Sequence, residues 1–164
     1  MPADSAHSNS RQTADFVFSV PLLAAVALQF LMPLYVLQGP LRLWSVAIGI
    51  VFAALGLVSI SLARRTLIAA GQPVDPGKAT SGLVTAGIYS ISRNPLYLGA
   101  SSLFLGVALI AALTWELIFI VPSMIACHYV LIKREEAYLE QKFGRDYVAY
   151  KAAVGRWLGR RNRP

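Results

Sequence analysis

The chain of 164 residues is 56% hydrophobic and only 14% charged, with a mean hydropathy of +0.56, where a soluble domain of this size carries about a quarter charged residues. With a net charge of +7 and one cysteine, the chain reads as a basic, single-domain integral membrane protein. A disulfide framework or a cysteine-based metal site within one chain is excluded.

Residues 1–14 are polar and aperiodic and are expected to be a mobile tail ahead of one membrane-embedded domain, residues 15–164. The first uncharged run covers residues 16–37 and contains Pro21 and Pro33, the latter placed to kink the helix or mark its end. No small-residue cleavage pattern follows, so the run reads as a span and not as a signal peptide. Gln38-Gly39-Pro40 is turn chemistry, which predicts that a second span, residues 43–63, returns against the first as an antiparallel hairpin. Gly49, Ala53, Ala54 and Gly56 give that second span a face of small residues, suited to close helix packing in lipid.

Residues 64–95 form the longest polar connection, with turns at Gly71-Gln72-Pro73 and Asp75-Pro76-Gly77. A connection of this length usually carries function. The apolar pair Leu83-Val84 is expected on the membrane surface. Asn94-Pro95 predicts an extended Asn94 and a helix beginning at Pro95. The N–H groups of Leu96, Tyr97 and Leu98 would then be left free at the start of a third span, residues 96–113, as an anion site. A fourth span, residues 115–132, contains His128. Nothing breaks the helix before Lys142, so it should continue beyond the bilayer to a C-cap at Gly144. A short helix at about 146–153 should follow, and the C-terminal helices together cover about 133–153. Helical spacing sets His128, Ile132, Glu135, Glu136 and Leu139 on one face, while Tyr138, Phe143, Tyr147 and Tyr150 are suited to packing these elements together.

Charge orients the chain. Arg64, Arg65, Lys78 and Arg93 lie between the second and third runs, and nine basic residues follow the fourth. The other two links carry only Arg42. By the positive-inside rule both termini and the 64–95 connection are cytoplasmic. The fold class is therefore all-α: a polytopic membrane protein of four transmembrane helices. Its cytoplasmic pocket would be built from the 64–95 loop, the start of the third span and the C-terminal helices. The basic tail reads as orientation and attraction to anionic lipid headgroups, not as a nucleic-acid surface. No P-loop, Rossmann fingerprint or zinc-binding His pair is present.

Arg93, Asn94, Tyr97 and Glu135 are predicted to converge in that pocket. A carboxylate for an ammonium group, an arginine and free helix N–H groups for a carboxylate, and aromatic rings for a flat base and a sulfonium together suit S-adenosylmethionine. The ordered set Gly87-x-Tyr89, Arg93-Asn94-Pro95-x-Tyr97-x-Gly99, Glu135-Glu136-x-x-Leu139 and Phe143-Gly144-x-x-Tyr147-x-x-Tyr150 resembles the isoprenylcysteine carboxyl methyltransferase family and its bacterial phospholipid-methyltransferase-like relatives. The likeness covers roughly the C-terminal half. The resemblance implies an S-adenosylmethionine-dependent methyltransferase of the bacterial inner membrane acting on a lipid-like or small hydrophobic acceptor. It also implies cofactor contacts from Ser81, Gly82, Leu83, Val84, Tyr89, Asn94, Pro95, Leu96, Tyr97 and Glu135. Two departures stand out. Asn94 occupies a position where many relatives have histidine, and Asn is no base near neutral pH. Leu131 stands where prenylcysteine enzymes carry a substrate-facing arginine, so Arg134 or Arg93 is the candidate replacement, with His128, Leu131 and Arg134 forming the candidate acceptor site. Arg93 and Glu135 are the residues assigned to the reaction itself. Two rival readings are an NADPH-dependent membrane sterol-type reductase, which shares a similar Arg-His-Pro-x-Tyr element, and a non-catalytic membrane module.

Overall fold

The computed structural model describes residues 10–75 and 78–159. Six α-helices account for most of them: α1 Ser10–Leu31, α2 Pro40–Ala69, α3 Pro95–Ala111, α4 Thr114–Ala126, α5 Lys133–Phe143 and α6 Arg145–Ala153. A 3₁₀ turn spans Gly87–Ser90 and a π-helical segment spans Cys127–Ile132. No strand occurs among the described residues. Among the described residues two helices are long and apolar enough to cross a membrane, Pro40–Ala69 and the continuous α4–π–α5 rod Thr114–Phe143, while Phe16–Leu31 and Pro95–Ala111 are shorter apolar helices.

Several boundaries differ from expectation. Helix α1 already includes residues 10–14, and residues 1–9 of the expected tail lie outside the described residues. The helix stops at Leu31, two residues before Pro33, and not at residue 37. Helix α2 continues to Ala69, which shortens the polar connection to residues 70–94. Pro95 occupies the first turn of α3, as its missing N–H favours. Gly144 closes α5 with a φ of 52°, and its N–H reaches the Glu140 carbonyl.

The predicted α1–α2 hairpin does not form. Helix α2 packs along α3, and α1 packs instead on α4 and the π segment. The cause lies in the small residues. A Cβ on Gly106 of α3 would sit 2.5 Å from the Ala53 nitrogen and 2.6 Å from the Gly49 oxygen, and one on Gly56 of α2 would sit 2.7 Å from the Gly99 oxygen. Glycines from both helices thus meet backbone to backbone, and the small-residue face of α2 is used up by α3. Helix α1 offers Phe18, which stacks on Phe104 of α3 at 5.4 Å between ring centroids and joins Tyr97, Cys127, Leu131 and Ile132 in one buried cluster.

The opposite end of the α2–α3 pair is fastened by Arg42. Its Nη2 donates to the Ile110 carbonyl at 2.6 Å and its Nη1 to that of Leu109 at 3.2 Å, a cation set against the negative end of α3.

Candidate functional site

Where α2, α3 and α5 end on the side of the 70–94 connection, an open cleft of about 790 Å³, its mouth included, separates them. Its floor is the start of α3 with Arg93, Asn94, Leu96 and Tyr97. One wall is α5 with Glu135, Glu136 and Leu139. The other wall comes from Leu67 and the connection, including Gly82, Leu83, Val84 and Tyr89. Leu83 packs against the buried Tyr147, Tyr150 and Val154 cluster, so the Leu83-Val84 pair, expected to lie flat on the membrane, instead lines the cleft.

The four residues predicted to converge do so. The Tyr97 hydroxyl donates to Glu135 Oε2 at 3.1 Å, tying α3 to α5. Arg93 Nη1 lies 2.9 Å from Glu136 Oε1 with its side chain only 4% exposed, and it reaches the Tyr147 hydroxyl at 3.4 Å. Its Nε is buried with no hydrogen-bond partner among the described residues. Asn94 is buried and donates from Nδ2 to the Arg156 carbonyl at 3.1 Å. Its side chain therefore does not cap α3. The Leu98 N–H already bonds the Asn94 carbonyl, so of the three amide groups expected to be free only those of Leu96 and Tyr97 lack this use.

A group absent from the sequence reading completes the site. Glu136 is gripped twice by Arg156, from Nε at 2.9 Å and from Nη2 at 2.7 Å. Those bonds hold the Arg156 guanidinium above its ordinary pKa. The segment around Arg156 is itself moored by backbone bonds: Arg93 N–H to the Gly155 carbonyl at 3.1 Å, and Gly159 N–H to that of Ile91 at 2.9 Å. Tyr150 donates to the Tyr89 carbonyl at 2.7 Å. Burial pushes the Tyr147 hydroxyl up to about 12, with the nearby Glu136 charge adding to it, and raises Tyr89 and Tyr150 as well. These phenols stay neutral across the physiological range.

The remaining sequence candidates are distributed differently. Ser81 is exposed and bonds Gln72 from outside the cleft lining, and Pro95 is buried beneath the floor. Leu131 is buried in the cluster shared by α1, α3 and the π segment, Arg134 is exposed, and His128 meets Tyr129 edge-on at 4.9 Å; none of the three lines the cleft. The π segment accounts for His128. An inserted π turn adds about one residue, or about 100° of rotation, between His128 and the glutamates, which breaks the common face drawn on α-helical spacing. No cluster of three or more metal-ligating side chains occurs among the described residues.

The family model for phospholipid methyltransferases matches residues 44–146, which takes in most of α2, all of α3, the rod and both glutamates. No curated protein and no solved structure is significantly similar to the chain.

Proposed function

Since this chain belongs to the phospholipid methyltransferase family and is thereby a membrane methyltransferase, we propose that it moves a methyl group from S-adenosylmethionine to an amphipathic, lipid-like acceptor within the cleft between α3 and α5. The single observation that carries this reading is the meeting of Arg93, Tyr97 and Glu135 in one cleft, with a cation on its floor and carboxylates on its α5 wall.

The residues present fit the cofactor. A zwitterionic amino-acid end needs a carboxylate and a cationic donor, and Glu135 and the unpartnered Nε of the buried Arg93 supply them. An adenine needs apolar and aromatic surface, and Leu83, Val84, Tyr89 and Leu96 line the cleft for it. Bound S-adenosylmethionine contributes a methyl carried on a sulfonium, displaced in line by a nucleophile without protonation of the leaving sulfur. The chain's own task is to align, desolvate and hold charge. Glu136 and Tyr147 fix the Arg93 guanidinium so that its Nε edge is left for a carboxylate. Tyr97 holds one oxygen of Glu135, leaving the carboxylate oriented toward a cation. No dedicated general base is assigned: a carboxylate acceptor needs none, and an amine acceptor must arrive deprotonated.

Four spans remain the topology we favour, with the two shorter apolar helices α1 and α3 completing the bundle around the two long ones. Both termini and the cleft are assigned to the cytoplasmic face on the charge asymmetry, with the acceptor approaching from the surrounding lipid. Titration of the detergent-purified protein with S-adenosylhomocysteine, with NADPH in parallel, tests the assignment. Saturable binding of the former alone is expected, and binding of NADPH alone moves the protein to the reductase class. Replacing Glu135 by alanine removes a charge-assisted contact of about 1.5–3 kcal/mol, so S-adenosylhomocysteine affinity should fall about ten- to a hundredfold; unchanged affinity removes Glu135 from the site.

A further inference from the structure

The wall of the cleft formed by Gly82, Leu83 and Val84 belongs to a stretch without regular secondary structure, yet one side chain holds its start in place. Gln72 Oε1 accepts the Ser81 N–H at 2.8 Å and the Gly82 N–H at 3.2 Å. Its Nε2 donates to Ser81 Oγ at 3.0 Å and to the Ala70 carbonyl at 3.1 Å. One amide thus satisfies two successive backbone donors ten residues along the chain, groups that would otherwise have to find water or fluctuate.

The clasp is only as firm as its own anchor, and that anchor is the end of α2. Gly71 takes a φ of +66°, its N–H bonds the Ile68 carbonyl at 3.0 Å, and the Gln72 N–H bonds that of Leu67 at 2.9 Å. This is the paired 5→2 and 6→1 closure of a helix by a left-handed glycine, which fixes Gln72 as the second residue beyond the C-cap Ala70. Pro73 follows and restricts Gln72 further. Helix α2 is therefore coupled, through one amide, to the cleft wall.

We propose that Gln72 is a positioning residue for the S-adenosyl ligand: it transmits the fixed end of α2 to the Ser81–Gly82 backbone and so preorders the wall that the ligand's nucleoside meets. The inference rests on the methyltransferase reading of the cleft. Gln72 also lines the cleft, but its amide oxygen and nitrogen are both spent on the clasp, so its loss should raise the ordering cost of binding and leave the chemical step alone.

The test uses the full chain in detergent or nanodiscs. Hydrogen exchange on the ligand-free protein should show faster exchange at the 81–84 segment in Gln72→Ala than in wild type. Calorimetric titration with S-adenosylhomocysteine should show about tenfold weaker binding in Gln72→Ala. Gln72→Glu keeps an acceptor for both amides and should restore affinity to within about threefold of wild type. Single-turnover transfer of radiolabelled methyl from saturating S-adenosylmethionine to a total membrane lipid extract should keep its rate in Gln72→Ala. Faster exchange with wild-type affinity overturns the positioning role while leaving the methyltransferase reading intact. Wild-type protein that binds no S-adenosylhomocysteine overturns that reading and the inference with it. Unchanged exchange in Gln72→Ala overturns the clasp itself, whatever the ligand.

Discussion

Replacement of Glu136 by alanine should be the most destabilising single change around the cleft. The Arg93 side chain is 4% exposed and depends on Glu136 for its counter-charge at 2.9 Å, while Arg156, about one-third exposed, holds the same carboxylate from the rim. Together the three groups carry a net charge of +1; without Glu136 they carry +2 in a confined space. Removing one partner of a buried pair costs about 3–5 kcal/mol, because the other charge is stranded without water. Arg156→Ala removes a partner that water can partly replace, and should cost about 1–2 kcal/mol. With about 2–4 °C of melting temperature per kcal/mol at this chain length, Glu136→Ala should melt about 6–20 °C below wild type and Arg156→Ala about 2–8 °C below. Scanning fluorimetry of the detergent-solubilised variants reads both. A Glu136→Ala shift no larger than that of Arg156→Ala refutes the reasoning, since it would mean that Arg93 is not the group Glu136 neutralises.

Three further outcomes are expected. Gly106→Val places side-chain atoms where the Gly49 oxygen and Ala53 nitrogen lie and should cost more than about 3 kcal/mol through forced separation of α2 and α3, seen as a large fall in melting temperature or in yield of folded protein; a wild-type melt would refute the close approach. Arg42→Ala uncaps the far end of α3 and should cost about 1 kcal/mol, lowering the melting temperature slightly and leaving S-adenosylhomocysteine affinity unchanged. Tyr147, raised to about 12 by burial, contributes stability that is fully present below the unfolded tyrosine value of about 10 and is lost as pH rises through the folded one. Alkaline unfolding between those values should be shallower in Tyr147→Phe, and identical profiles would argue against a buried phenol.

The centre of the cleft was legible in the sequence because its residues sit on helices whose phase and termini carry strong signals. Pro95 fixes where α3 begins, and the uninterrupted run from Ser123 to Lys142 carries Glu135 past the apolar segment, so Arg93, Asn94, Tyr97 and Glu135 meet. The rim was not legible, for an equally physical reason. The mooring of the 154–159 stretch and the Gln72 clasp are made largely by backbone groups, which every residue possesses and no sequence pattern marks. Arg156 stands among basic residues that read as orientation and attraction to lipid headgroups. The π segment shows nothing in composition, yet it rotates the glutamates away from the face of His128. The pairing of α1 with α4 was missed because a tight turn argues only that two helices are consecutive, whereas the glycines of α2 and α3 decide which neighbours can approach.

The mooring of Ile91 and Arg93 to Gly155 and Gly159 also sets a schedule for biogenesis. Helices can be inserted one after another as the ribosome delivers them, but the floor of this cleft lacks the Arg156 carbonyl and guanidinium until residue 159 has been made and has folded back across more than sixty positions. Until then Glu136 lacks its second arginine, and Asn94 lacks an acceptor. A ribosome stalled before that point would release a chain with its helices in the bilayer and no competent cleft. Acquisition of ligand binding during synthesis should therefore be abrupt and late, rather than growing with each helix inserted.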